Sequence, residues 1–290
     1  MTWLPAIGLS LLLLCILAAA VWGLSAHGAR QWAKAMQLLT KQLEAGRVRP
    51  PSPARYDMRD LDGLPAPVQR YFRAVLQDGQ PLIAAATVKM TGRINMSATG
   101  EQWKRFKARQ RIITGRPGFL WDAKVAMLPG LAVRVVDGYV AGQGRLRAAV
   151  LGLFTVAELH GDGEIARGEL MRFFAEAAWV PTALLPSQGV QWAAVDDRSA
   201  NATLTDGPLS LTLLFRFDAE GLITSAHAAA RGAAVGKQMV MLPWEGSWSN
   251  YQRRDGMRVP MTGEATWLRP EGRKTYFQGE VRSLRYRFLP

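Results

Sequence analysis

Charge is missing where a water-exposed chain would carry it. From Thr2 to Leu24 there is no Asp, Glu, Lys, Arg or His, and Leu, Ala, Ile and Val dominate. A helix of that length, at about 1.5 Å per residue, reaches across a hydrocarbon core of about 30 Å. Cysteine is nearly absent too. Cys15 stands alone, which excludes an intramolecular disulfide. Leu14 before it is too large for the small residue that lipoprotein acylation needs. Histidine is confined to His27, His160 and His227, so little is left for a transition-metal site, and no metal or cofactor is expected. HExxH, GxSxG, P-loop and dinucleotide signatures are absent, and no Ser sits in a nucleophile elbow. Internal repeats and low-complexity tracts are absent as well.

What is present begins with that apolar segment. Trp3 and Trp22 lie near its ends, where indoles favour the headgroup region. A retained anchor over residues 1–26 is expected. A cleaved signal peptide is the competing reading, with Ala18 and Ala20 as a cleavage site, but no basic residue precedes the run and Val21-Trp22 prolong it. The following flank carries Arg30, Lys34, Lys41, Arg47 and Arg49 against Glu44, which by the positive-inside rule favours a cytoplasmic C-terminal domain. In residues 27–63, Trp32, Met36, Leu39 and Leu43 fall at helical spacing. This juxtamembrane amphipathic helix is expected to end at Gly46 and a Pro50-Pro51-Ser52-Pro53 linker.

Residues 64–290 read as one β-rich domain. A helix is expected from Pro65 or Pro67 to about Gln77, with Val68, Tyr71, Phe72 and Val75 on one side. Strands follow near 83–97, 102–114, 118–127, 131–137, 139–148, 190–196, 200–205, 208–217, 221–230, 237–248, 258–268 and 274–288. Asp137-Gly138, Asp206-Gly207, Glu220-Gly221, Asp255-Gly256 and Glu271-Gly272 punctuate them, because Gly accepts positive φ in tight hairpins. The clearest alternation is Leu209, Leu211, Leu213, Phe215 and Phe217 on one face. One helix, Gly168 to Ala178, interrupts the series. The expected fold is therefore mainly β: a single strongly curved antiparallel sheet, or half-barrel, of about 10–12 strands with a helical lid.

The formal net charge of +13 is partly concentrated in Lys104, Arg105, Lys107, Arg109, Arg111 and Arg116. Period two puts Arg105, Lys107, Arg109 and Arg111 on one strand face, either simply solvated or drawn to anionic lipid. No nucleic-acid-binding motif accompanies them, so nucleic acid is not an expected partner.

Two groups of residues are candidates for function. Phe119, Trp121, Met127, Phe215, Phe217 and Trp248 are inward aromatics and apolar residues that would line a cleft for acyl chains in an open half-barrel, or form core in a closed one. On the helix, Glu169, Arg172 and Glu176 share a face. Two readings apply: a salt bridge anchoring the lid, or an acid–base pair in an enzyme acting on a lipid-like substrate. Arg172 is the candidate for an anionic headgroup, and Glu169, Phe173, Glu176 and Trp179 are the lid residues. The leading expectation is a module binding a lipid or lipidated partner. A scaffold with a filled core is the alternative, and the enzyme comes third.

Several runs also carry a likeness. Leu64-Pro65-Ala66-Pro67-Val68-Gln69-Arg70-Tyr71-Phe72 resembles the opening signature of a bacterial family of unknown function. So do Gly118-Phe119-Leu120-Trp121-Asp122-Ala123, Asp137-Gly138-Tyr139 with Gly142 and Gly144, and Gly168 to Glu176. Trp179 to Pro186, and Gly256-Met257-Arg258-Val259-Pro260 with Trp267, match in kind. The resemblance spans about residues 64 to 288. In architecture it implies a half-barrel of the lipoprotein-carrier type and transfers no catalytic residue. Those carriers work outside the cytoplasm, whereas the basic flank points inside.

Overall fold

The computed structural model describes residues 3–47, 54–97, 99–128, 130–235 and 238–290. The chain opens with helix α1 (Trp3–Ala45). The apolar segment and the amphipathic stretch, expected as separate units, are thus one continuous helix. Arg49 and the Pro50–Pro53 linker lie outside the described residues. A short 3₁₀ turn (Met58–Leu61) and helix α2 (Ala66–Val75) lead into the strands.

These are β1 (Ile83–Asn95), β2 (Trp103–Ile113), β3 (Gly118–Leu128), β4 (Leu131–Val140), β5 (Gln143–Val150) and β6 (Phe154–Gly161). Helix α3 (Glu164–Glu176) and irregular 3₁₀ turns up to Gln188 follow. Then come β7 (Gln191–Asp196), β8 (Ser199–Asp206), β9 (Leu209–Phe217), β10 (Ile223–Val235), β11 (Gln238–Arg254), β12 (Met257–Arg269) and β13 (Gly272–Phe288).

Among the described residues thirteen strands form one antiparallel sheet in the order β6-β5-β4-β3-β2-β1-β13-β12-β11-β10-β9-β8-β7. Every neighbouring pair except β1–β13 is consecutive in the chain. The sheet is a meander whose first and last strands meet in the middle, and α3 bridges its two edges, β6 and β7. β9 shows how sequence drives it: Leu211, Leu213, Phe215 and Phe217 are buried on one face while Ser210, Thr212 and Arg216 are exposed on the other. Asp255-Gly256 turns the β11–β12 hairpin with φ of +47° and +82°, the backbone such a two-residue turn requires.

Two sequence readings need correction. Asp137-Gly138 is not a turn: β4 runs through it, and the chain reverses at Ala141-Gly142 instead (φ +52° and +88°). A side chain at Gly138 would stand 2.6 Å from the Phe119 carbonyl oxygen, so glycine here serves close strand packing. Strand β6 was not foreseen. It is an edge strand exposed nearly throughout, so it lacks the alternation that marks a half-buried strand.

The sheet has a core on each face. Inside, α2 closes one end with Val68, Tyr71, Phe72 and Val75, and α3 fills the middle with Leu170, Phe173 and Phe174. Outside, Trp32, Met36, Leu39 and Leu43 of α1 pack on Ile113, Leu120, Val136, Val140 and Ala149. Trp32 Nε1 donates to Asp122 Oδ1 at 2.8 Å. Docking begins at Gly28, where a methyl would lie 2.1 Å from the Leu151 carbonyl oxygen. Contacts of Gly28 with the β5–β6 turn, and of Leu43 with Gly118, give α1 its direction. It enters at the sheet end bearing the β3–β4 and β5–β6 turns and runs toward the end that α2 closes.

Candidate functional site: a cavity beneath α3

Gly144 is where the site is set up. A Cβ there would be 2.5 Å from the Ala166 nitrogen, so glycine alone lets α3 lie directly on β5. From that seat α3 crosses the inner face and leaves a cavity of about 290 Å³ between itself and the sheet. Trp121, Trp244, Trp267, Tyr276 and Phe277 supply aromatic wall. Asp137, Glu169, Arg172, Glu176 and Arg231 supply charge.

The charged groups form two unequal sets. Arg172 is held by both Asp137 and Glu176, the latter at 2.8 Å from Nε, and its guanidinium lies 5.1 Å and 5.2 Å from the Phe119 and Trp121 ring centres. Gln110 Nε2 donates to the second oxygen of Glu176 at 2.6 Å. Burial opposes the charge on Arg172, but Glu176, Asp137 and Glu169 outweigh it and raise its pKa. Arg231 is placed differently. It stacks on Trp244 at 4.9 Å and Trp267 at 5.8 Å, donates to the Tyr276 hydroxyl at 3.4 Å, and approaches Glu169 no closer than 4.0 Å.

Glu169 is only 4% exposed. Burial holds its carboxyl well above the usual carboxylate range, the charge of Asp137 adds to the effect, and Arg172 and Arg231 oppose it. As bare carboxylates, Glu169 Oε2 and Asp137 Oδ1 would both be buried without a partner. A proton on Glu169 would give this pair of buried oxygens a donor.

Of the residues singled out in the sequence, Trp121, Glu169, Arg172 and Glu176 line this cavity together. Phe119, Phe215, Phe217 and Trp248 do not, because the helices inside the sheet already cover them. Phe215 packs on Phe174 (ring centres 5.6 Å apart), Phe217 on Tyr71 (5.8 Å), and all four are buried. Met127 is half-buried on the inner face, away from the lining. Phe173 and Trp179 are core residues, and Trp179 Nε1 donates to the Pro260 carbonyl at 2.9 Å, so the helical segment is a packed plug. Arg231, Tyr276 and Phe277 were not anticipated. A bulge between Ala228 and Arg231 turns the arginine inward, and strict alternation cannot foresee that. Among the described residues no group of three His, Cys, Asp or Glu side chains is placed to hold a metal.

The model of one protein family, described as Family of unknown function (DUF6920), matches residues 62–286. The chain belongs to that family. All the runs that carried the sequence likeness fall inside the DUF6920 match, as does every residue lining the cavity. No curated protein matches the chain. Among solved structures it is similar to a LolA superfamily protein from Nitrosomonas europaea, at 9% identity and TM-score 0.40, over 77% of this chain and 93% of that one. It is also similar to a porin-like protein from Bacteroides uniformis, at 6% identity and TM-score 0.23, over 71% and 98%. Neither likeness bears on function.

Proposed function

We propose that this DUF6920 protein is a membrane-anchored module that takes an acyl-bearing ligand, a lipid or lipidated partner, into the cavity beneath α3. The observation that carries the reading is an aromatic-walled space beneath α3 whose lining reaches the surface at the exposed side chains Leu159, Glu164 and Met239. Ile94, Val135, Leu159 and Met239 supply aliphatic lining, with Glu164 the charged group at the exposed rim. Met96, Leu128, Phe154 and Val156 add apolar surface at the sheet end that α1 enters, all exposed.

The apolar part of α1 is long and apolar enough to cross a membrane, and Ile7, Leu9, Leu11, Leu12, Leu13, Ile16, Trp22 and Leu24 are all exposed. Gly28, where docking starts, is four positions beyond Leu24. At about 1.5 Å per residue the sheet end then stands about 6 Å beyond the hydrocarbon, among the headgroups. Arg105, Lys107 and Lys124 lie on the outer face and suit anionic headgroups. At 290 Å³ the cavity is at the low end of small-molecule sites, which run from about 300 to 1,000 Å³, so it suits one chain segment.

The test is a chain beginning at Ala26, which keeps the docked half of α1, purified without detergent and extracted into organic solvent. Mass spectrometry should recover a bound acyl species in near-stoichiometric amount. An empty extract, with no uptake of added long-chain lipid, would refute the reading. Glu169 favours a second reading, an enzyme using the protonated carboxyl on the same ligand, since a buried carboxyl of raised pKa beside a second one is suited to acid–base work. Glu169→Gln separates the two: binding survives in both, and turnover of extracted lipid is lost only in the second.

A further inference from the structure

Arg231 is the least compensated charge in the cavity. It is 9% exposed, and its side chain is clamped between indoles rather than carboxylates. Its one ion pair among the described residues is the 4.0 Å approach to Glu169, a carboxyl whose charged form burial and Asp137 disfavour. Asp137 and Glu176 are already committed to Arg172. Glu164, in the first turn of α3, is exposed at the mouth and makes no ion pair with Arg231. A buried guanidinium in such surroundings lacks the counter-charge that would offset its loss of water.

Tyr276 points the same way. Its hydroxyl oxygen accepts from Trp244 Nε1 at 3.0 Å and from Arg231 Nη1 at 3.4 Å. Two acceptor positions are thereby used, and the O–H is left to donate. Arg231 and Tyr276 together offer N–H and O–H donors to a single acceptor in the aromatic pocket. Helix α3 passes beside the guanidinium at Gly168, where a Cβ would lie 3.8 Å from Arg231 Nε, an ordinary contact distance.

An acyl chain that leaves a bilayer for an apolar wall exchanges one hydrocarbon environment for another and gains little. Selection must then come from the polar end of the ligand. We propose that Arg231 and Tyr276 bind an anionic oxygen group, a carboxylate or phosphate monoester, at the head of the acyl ligand, with the chain lying along the aliphatic and aromatic lining of the cavity. Charge-assisted, forked hydrogen bonds from a guanidinium suit either group. This rests on the reading of the cavity as an acyl site.

The experiment uses the full-length chain in nanodiscs of zwitterionic lipid, with one photoreactive long-chain probe in three forms: carboxylate, phosphate monoester and alcohol. Labelled peptides are mapped by mass spectrometry. Labelling of cavity-wall peptides by at least one acidic form should exceed that by the alcohol about tenfold, and the form preferred identifies the headgroup. Arg231→Gln should level the three forms, and Tyr276→Phe, which keeps the ring against Trp267, should narrow the preference. If the alcohol labels as strongly as both acids in the unmodified chain, the headgroup assignment falls and the acyl site stands. If none of the three labels the cavity, both fall.

Discussion

Trp32→Ala should release the docked half of α1 from the outer face of the sheet while the inner core stays folded. Trp32 is 3% exposed, donates to Asp122 at 2.8 Å, and lies 5.7 Å beneath the Arg147 guanidinium. Removing a tryptophan from such a contact costs about 3–5 kcal/mol. The four docking side chains, at about 1.5–3 kcal/mol each, supply roughly 6–12 kcal/mol before ordering costs, so one substitution removes a large share. Once undocked, a solvated helix of this kind frays. At about 1.4 kcal/mol per factor of ten, backbone amides from 33 to 45 should lose about two to three and a half orders of magnitude in hydrogen-exchange protection. The assay is exchange mass spectrometry on the full-length chain in nanodiscs, with β9 as internal reference. Unchanged protection in 33–45 would refute the docking argument, and an equal fall in β9 would show that α1 and the sheet unfold as one unit.

Glu169→Gln should alter how stability depends on pH. A carboxyl whose folded pKa is raised contributes fully below its unfolded value, about 4.3, and loses that contribution as pH rises toward the folded value, by at most about 1.4 kcal/mol per pH unit. The urea midpoint of the parent should therefore fall relative to the variant as pH rises above about 4.3, and parallel curves would contradict the raised carboxyl. Gly144→Ala puts a methyl 2.5 Å from the backbone of Ala166, and should destabilise the domain by about 1–3 kcal/mol in urea titration while reshaping the cavity. Thr182→Val strands the buried Ile83 N–H, which now donates to Thr182 Oγ1 at 3.0 Å. A cost of about 1–3 kcal/mol is expected, and a loss too small to resolve would mean the strand start finds another acceptor.

The meander was legible because hairpin chemistry and two-residue alternation are local: Asp206-Gly207 and Asp255-Gly256 turn the chain, and β9 alternates as written. Asp137-Gly138 has the same local signature, yet strand packing against Phe119 and the ion pair with Arg172 keep it inside β4. The inward rows were equally legible, but not what meets them. Whether Phe215 faces a ligand or Phe174 depends on where α3 lies, and that depends on Gly144 meeting Ala166 across the fold. Glu169, Arg172 and Glu176 were recognisable by helical spacing. Arg231 was not, since a bulge reverses its face.

The meeting of β1 with β13 dictates when the sheet can be completed. Ile83 pairs with Phe288, so the first strand to be synthesised waits for the last. Throughout translation β1 presents one open flank, and closing so distant a contact is entropically slow. Emergence of β13, rather than of any earlier hairpin, is the event that lets the two arms of the sheet join, and a chain truncated before β13 should be a target for chaperones and proteases.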